Sequence, residues 1–279
     1  MAINPASASR DPYRGPGNLA GKIAIVTGGT QGLGEAIARL FAERGAAGLT
    51  ICGRNGVNGE RVAEEISAGG CPTRFVQADL CRVADCRSVV AEADRRFGRV
   101  DALVNAAALT DRGTIFDTTE ERYNEIFDVN VRAPFFLIQE TVRIMRRERT
   151  EGAIVNIQSM SAHGGQPFIA AYCASKGALA TLTRNLAHSL LKFRIRVNGL
   201  NIGWMSTPGE DRIMKTYHGA GDGWLQEAAK GKPFGRLVDP KEVARACAFL
   251  CSAESGLMTG ANIDFDQTVV GAGDAPLEP

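Results

Sequence analysis

Histidine is scarce in this sequence, with only three residues, and the seven cysteines at 52, 71, 81, 86, 173, 247 and 251 include no CxxC pair. That spacing excludes the common zinc-ligand frameworks. Cys247 and Cys251 lie one helical turn apart, but no second pair at ligand spacing would complete a site, so no metal is expected. An odd set of cysteines without a framework reads as reduced, packed thiols. Long apolar runs are missing as well. No stretch approaches the roughly 18 residues that span a bilayer, and the opening MAINPASASRDPYRGPGN has no apolar signal core. Charge of one sign is also lacking: the 32 basic and 31 acidic residues leave a net +1, which gives no case for nucleic acid or an anionic membrane as partner. The basic run at 143–150 is short and flanked by acids, and reads as a solvated helix end. A soluble cytoplasmic protein acting on a small molecule is the expectation.

What is present is a regular alternation. Residues 1–20, rich in Pro, Ser, Gly and Asn, read as a flexible arm or a subunit-contact strap. From 21 onward no linker interrupts the chain, so 21–279 is expected to form one domain. Short β-branched runs (KIAIVTGG, GLTICGRN, TRFVQADL, VDALVNAAA, GAIVNIQSM, FRIRVNGLNIG and GANIDFDQT) are separated by longer helical patterns. Among these, 119–148 and 170–192 are expected to be long helices. Strands alternating with helices of ten or more residues imply an α/β fold, a doubly wound parallel sheet covered on both faces. Its ligand belongs at the carboxyl ends of the strands.

Two stretches carry chemistry. TGGTQGLG at 27–34 joins the first strand to the first helix. Gly28, Gly32 and Gly34 allow a tight turn, close approach to a pyrophosphate and close helix packing, while the helix N-terminus offers N–H groups to negative charge. The second strand ends in Gly53-Arg54 in place of a carboxylate. A guanidinium there grips a 2′-phosphate, so NADP is expected as cofactor, with NAD as the alternative. Asp79, ending the third strand, is placed either to meet an adenine amino group or to cap a helix. The second stretch, Tyr172-Cys-Ala-Ser-Lys176, sets a phenol and an amine four residues apart, on one face of a helix.

Together these motifs resemble the short-chain dehydrogenase/reductase family over roughly 20–270. Thr27-Gly28-x-x-x-Gly32-x-Gly34 resembles its cofactor turn, VNAAA at 104–108 its NNAG strand end, Asn130 its helix asparagine, and Ser159, Tyr172 and Lys176 its catalytic set. The resemblance implies a single-domain Rossmann fold, hydride transfer between nicotinamide and a secondary alcohol or ketone, and a homotetramer built on the helices at 119–148 and 170–192. It also implies roles. Tyr172 moves the proton, with its pKa lowered by Lys176 and the oxidised nicotinamide. Ser159 holds the substrate oxygen, Lys176 also binds the nicotinamide ribose, and Asn130 holds a water that links Lys176 to solvent. Cofactor contacts are implied for Thr30, Gln31 and Leu33 in the turn, for Leu80 beside Asp79, and for Asn105 and Ala106 at the fourth strand end. Ile202, Gly203 and Thr207 are implied at the nicotinamide end.

The sequence departs from the family pattern at three places. Ile202 stands where a proline is usual, Ala108 replaces a glycine, and IDFDQT stands where VDGG is common. A softer turn at 202 and a differently placed chain end are expected. The segment 204–235 reads as a flap over the substrate, combining Trp204, Glu210, Asp211, Arg212, His218 and Trp224 with several glycines. With His163 and Gln166 also placed to line the pocket, this mix suits a polyhydroxylated, sugar-like or polyol-like substrate. Two alternatives stay open: a reductase of 3-oxoacyl or other ketones, and a non-catalytic NADP-binding regulatory protein.

Overall fold

The computed structural model describes residues 18–272. The expected arm over 1–20 therefore lies, apart from 18–20, outside the described residues. Seven strands form one parallel sheet: β1 (Ile23–Thr27), β2 (Gly48–Gly53), β3 (Thr73–Gln77), β4 (Ala102–Asn105), β5 (Ala153–Ser159), β6 (Arg196–Ile202) and β7 (Asn262–Phe265). Their order across the sheet is β3-β2-β1-β4-β5-β6-β7. The chain runs outward from β1 in one direction, then returns to β4 and runs outward in the other. The order thus reverses between β1 and β4, and a crevice opens there at the carboxyl ends.

All five residues of β1 are buried, because helices cover both faces of the sheet. Successive side chains point to opposite faces: Ala24 and Val26 join one core with Ile37 and Phe41, whereas Ile25 joins the other with Val89, Leu137 and Ile154. The first face is covered by α1 (Gly32–Glu43), α2 (Gly56–Ala68) and α9 (Pro240–Cys251). The second is covered by α3 (Val83–Phe97), α5 (Ala133–Arg147) and α6 (Ala170–Leu190). Full burial of one such Phe or Leu contributes about 1.5–3 kcal/mol. Five of the seven cysteines are buried in these layers and all seven are free thiols. No helix among the described residues is long and apolar enough to cross a membrane.

Two expected elements take a different form. The long helix at 119–148 consists of α4 (Glu120–Phe127), one π turn (Asp128–Arg132) and α5. The wide turn carries Asn130 at its centre, and such turns concentrate at functional sites. The flap is also more ordered than a glycine-rich loop: it contains α7 (Pro208–His218) and α8 (Trp224–Lys230). Thr207 caps α7 by accepting from Glu210 N at 3.1 Å.

Candidate active site at the sheet switch point

A cleft of about 1010 Å³ runs along the carboxyl ends of the strands, from Gly53 and Arg54 at one end to the flap at the other. Its floor begins where β1 gives way to α1. Gly28 has φ +67 and Gly32 φ +55, conformations that side chains rarely adopt. A Cβ on Gly34 would stand 2.2 Å from the Gly28 carbonyl, so only glycine lets α1 come this close. The turn thus forms a cradle open to a pyrophosphate at the start of a twelve-residue helix. Thr30, Gln31 and Leu33 line it, as do Asp79, Leu80 and Ala106 farther along. Asp79 also holds its own turn, accepting from Cys81 N at 3.1 Å. The exposed guanidinium of Arg54 has no partner among the described residues, and a Cβ on Gly53 would strike Thr30 at 2.7 Å.

Three of the residues expected at the site do not line the cleft but hold its wall. Thr27 Oγ1 accepts from Ala106 N at 3.0 Å and Ala107 N at 3.1 Å, tying β4 to β1 beyond the last strand pair. Asn105 donates to Asn156 at 2.8 Å. Asn130 is fully buried, and its Nδ2 donates to the Leu109 carbonyl (2.9 Å) and to Ser175 Oγ (3.0 Å) while Oδ1 accepts from Leu109 N (2.9 Å). Ser175 in turn donates to the Tyr172 carbonyl at 2.7 Å. With both amide hydrogens so engaged, any water held at Asn130 has only oxygen acceptors there to use. The side chain's evident work is to clamp the loop after β4 to the turn that carries Tyr172.

Ser159, Tyr172 and Lys176, expected as catalytic residues, converge between β5 and α6. Ser159 is the last residue of β5, and its hydroxyl accepts from Ser161 N at 3.1 Å and pulls the pKa of the Tyr172 phenol down. Tyr172 is 8% exposed and Lys176 1%. The Lys176 ammonium donates to the Ile157 carbonyl at 2.8 Å and lies 5.6 Å from the Tyr172 ring centroid. Burial pushes the phenol up to about 12, against the pull of Ser159, and lowers the ammonium to about 7. Burial is thus the largest influence on the phenol. Protein groups alone keep Tyr172 protonated at neutral pH, so lowering its pKa falls to positive charge brought in beside it.

A family model described as enoyl-(acyl carrier protein) reductase matches residues 28–268. A short-chain type dehydrogenase/reductase of known structure from Mycobacterium marinum superposes with a TM-score of 0.81 at 28% identity, covering 90% of this chain and 96% of that one. The chain belongs to the short-chain dehydrogenase/reductase family. It is similar also to an NADP-dependent (R)-specific alcohol dehydrogenase of Lentilactobacillus kefiri, at 34% identity over 89% of this chain and 96% of the relative. A galactitol 2-dehydrogenase of Agrobacterium fabrum is 31% identical over 89% and 97% of the two chains. As a member of this family the protein is an oxidoreductase acting on alcohol and ketone groups.

In this dehydrogenase/reductase the departures from the family pattern have local explanations. Ile202 closes β6 in register with Ser159 and Phe265, and Gly203 N donates to the Phe265 carbonyl at 3.0 Å. The strand β7, rather than a proline, holds the turn. Asp266 packs so tightly on Gly203 that a Cβ there would fall 1.9 Å from its carboxylate oxygen. The unusual IDFDQT end therefore enters the cleft through Asp266 and Thr268. Thr207 lines it as well, its hydroxyl oxygen already engaged in capping α7.

Within the flap, some of the expected polar groups face the ligand space and others bind the flap together. Trp204, Glu210, Arg212 and His218 line the cleft. Asp211 and Trp224 do not: the Trp224 indole, buried, donates to Asp211 at 2.8 Å. Trp204 donates to Glu210 at 2.8 Å and stacks on Trp224, with centroids 5.9 Å apart. His163 lines the opposite wall, 3.0 Å from Asp264, which accepts from Asn201 at 2.7 Å. Gln166 accepts from Ser161. Sequence reasoning missed Arg112, Phe168, Lys232 and Asp266, all of which line the substrate half. Arg112 and Phe168 stand in irregular loops with no periodic or motif signal to single them out.

Proposed function

We propose that the protein is an NADP(H)-linked dehydrogenase or reductase that interconverts a secondary alcohol and a ketone on a small polyhydroxylated substrate. The observation that carries this reading is the convergence of Ser159, Tyr172 and Lys176 in one cleft whose far end presents the free Arg54 guanidinium. Bound NADP(H) supplies or takes the hydride. Arg54 holds the 2′-phosphate, the glycine cradle at 28–34 holds the pyrophosphate, and Ile202, Gly203 and Thr207 border the nicotinamide. Ser159 orients the substrate oxygen and stabilises charge developing on it. Tyr172 gives that oxygen a proton in reduction and takes one in oxidation. Lys176, directed by the Ile157 carbonyl, keeps a cation beneath the tyrosine when protonated.

The polar lining by His163, Gln166, Trp204 and Glu210 supports a hydroxylated substrate over an acyl chain. The similarity to a galactitol dehydrogenase supports the same reading, and that to an NADP-dependent alcohol dehydrogenase supports the cofactor. Residues 21–279 then act as one catalytic domain with a flap near 204–235. A homotetramer is part of the proposal: Phe127, Val131, Phe135, Ala178 and Leu182 line an apolar groove between α5 and α6, with Phe135 41% exposed, a surface suited to a partner subunit. Seven free thiols suit a reducing, cytoplasmic location.

The test is turnover of the purified full chain against polyols, sugars, ketones and 3-oxoacyl thioesters, with NADP(H) and NAD(H) in parallel. Activity on a polyol with NADP(H) is the expected result. Activity confined to oxoacyl thioesters would favour the acyl-reductase alternative, and cofactor binding without any turnover the regulatory one.

A further inference from the structure

Arg112 sits in the loop after β4, on the substrate side of the cleft, and is held from three directions. Its Nε donates to Nε2 of His218 at 3.0 Å, its Nη1 donates to the Thr110 carbonyl at 3.1 Å, and its guanidinium carbon lies 5.3 Å from the Phe168 ring centroid. Phe168 and His218 meet edge to face at 6.0 Å, so the two supports brace each other. None of these partners neutralises the cation, since His218 accepts through an unprotonated nitrogen. Among the described residues no carboxylate pairs with Arg112, whereas the neighbouring Arg122 takes both Asp111 and Glu125. A guanidinium preorganised in a cleft, with Nη2 open and its charge uncompensated, has the form of an anion receptor.

The surrounding charges point the same way. Arg212 and Lys232 line the same cleft and, among the described residues, have no carboxylate partner, Lys232 lying over the Trp204 ring at 5.5 Å. The carboxylates lining the cleft at this end are engaged elsewhere: Glu210 accepts from Trp204, Asp266 packs against Gly203, and Asp111 pairs with Arg122. None of these carboxylates bonds Arg112, whose open Nη2 is left to an anion from outside the protein. Arg112 and Tyr172 line one cleft, so an anion on Arg112 and the reacting carbon share one ligand space.

We infer that the substrate carries a carboxylate and that Arg112 binds it, so that the preferred substrate is a polyhydroxylated acid rather than the neutral polyol. This rests on the proposed dehydrogenase reading of the same cleft and specifies its substrate class. Phe168 and His218 are positioning residues for the guanidinium. The half-engaged fork of Arg112, with Nη2 left open, matches a carboxylate better than a phosphate dianion.

Matched probes test this: galactitol, galactonate and galactitol 1-phosphate, measured with NADP+ by kcat/KM and, independently of turnover, by calorimetric binding to the enzyme saturated with NADP+. Galactonate is expected to exceed galactitol by at least tenfold in one or both measures. In Arg112→Gln that ratio collapses at least tenfold, and in Arg112→Lys it is partly restored, because the charge returns without the fork. Equal handling of galactonate and galactitol, or a ratio unchanged in Arg112→Gln, overturns the inference, as does preference for the phosphate ester. Binding of galactonate that depends on Arg112, without turnover of any probe, leaves the inference standing and removes the dehydrogenase reading instead.

Discussion

Lys176 and Tyr172 occupy one face of α6, yet the ammonium gives its hydrogen bond to the Ile157 carbonyl at 2.8 Å and stands 5.6 Å from the phenol ring centroid. Both groups are almost fully buried, and burial moves them in opposite directions, the phenol up to about 12 and the ammonium down to about 7. Each is thereby biased toward its neutral form. In the proposed mechanism the pair becomes an effective acid and base only when charge is added beside it.

The pH dependence of the two reaction directions follows. Reduction needs the protonated phenol and oxidation the phenolate. A positively charged oxidised nicotinamide lowers the phenol's pKa from its raised value. Oxidation should therefore rise between pH 7 and 10, whereas reduction, with an uncharged reduced nicotinamide beside a phenol near 12, should stay flat over the same range. Initial rates in both directions across that range check this, and parallel profiles would contradict it.

Lys176 also predicts a pH dependence of stability. Its folded pKa of about 7 lies below its unfolded value near 10.5, so between the two the unfolded chain binds the extra proton. The penalty for burying this lysine is full below about pH 7, shrinks as pH rises toward 10.5 and vanishes above it. Relative to Lys176→Met, the wild-type chain should gain stability from pH 7 to 10, measured by denaturant unfolding of both proteins. A constant difference between them would show that the ammonium is not held as the structure has it.

At the adenosine end, Arg54→Asp places a carboxylate where a 2′-phosphate would lie. Loss of a charged hydrogen bond worth about 1.5–3 kcal/mol predicts a drop of roughly 10–100-fold in NADP(H) preference over NAD(H). Cofactor titrations by nicotinamide fluorescence measure the ratio.

Asn130→Ala removes three hydrogen bonds at once and leaves the Leu109 N–H and carbonyl without their partner. Each buried group left unpaired costs about 1–3 kcal/mol. The expected outcome is a marked loss of stability together with lower kcat, since the clamp between the β4 loop and the Tyr172 turn is gone. Thermal unfolding and single-turnover rates report the two effects separately.

The alternation of buried β-branched runs and amphipathic helices made the parallel sheet legible, because both periods are local properties of the chain. The glycine cradle was legible for the same reason: a strand, a turn and a helix follow one another directly at 23–43. Distant pairings were not. His163 and Asp264 are 101 residues apart and meet only because β5, β6 and β7 are adjacent in the sheet. Arg112 and His218, 106 residues apart, meet only when the flap packs over the β4 loop. The π turn at Asn130 was hidden because one wide turn barely disturbs a helical pattern of apolar residues. In the flap, glycines masked α7 and α8, whose Trp224–Asp211 and Trp204–Glu210 pairs hold the segment together.

The central claim is that Tyr172 carries the proton in NADP(H)-linked hydride transfer. Its most direct test is the turnover of Tyr172→Phe against the wild-type enzyme on one active alcohol with NADP+, followed by nicotinamide absorbance, with folding and cofactor binding checked in the same preparations. The account predicts a folded variant that binds NADP+ and loses about 10²–10⁴-fold in kcat. Turnover equal to that of the wild type would contradict it.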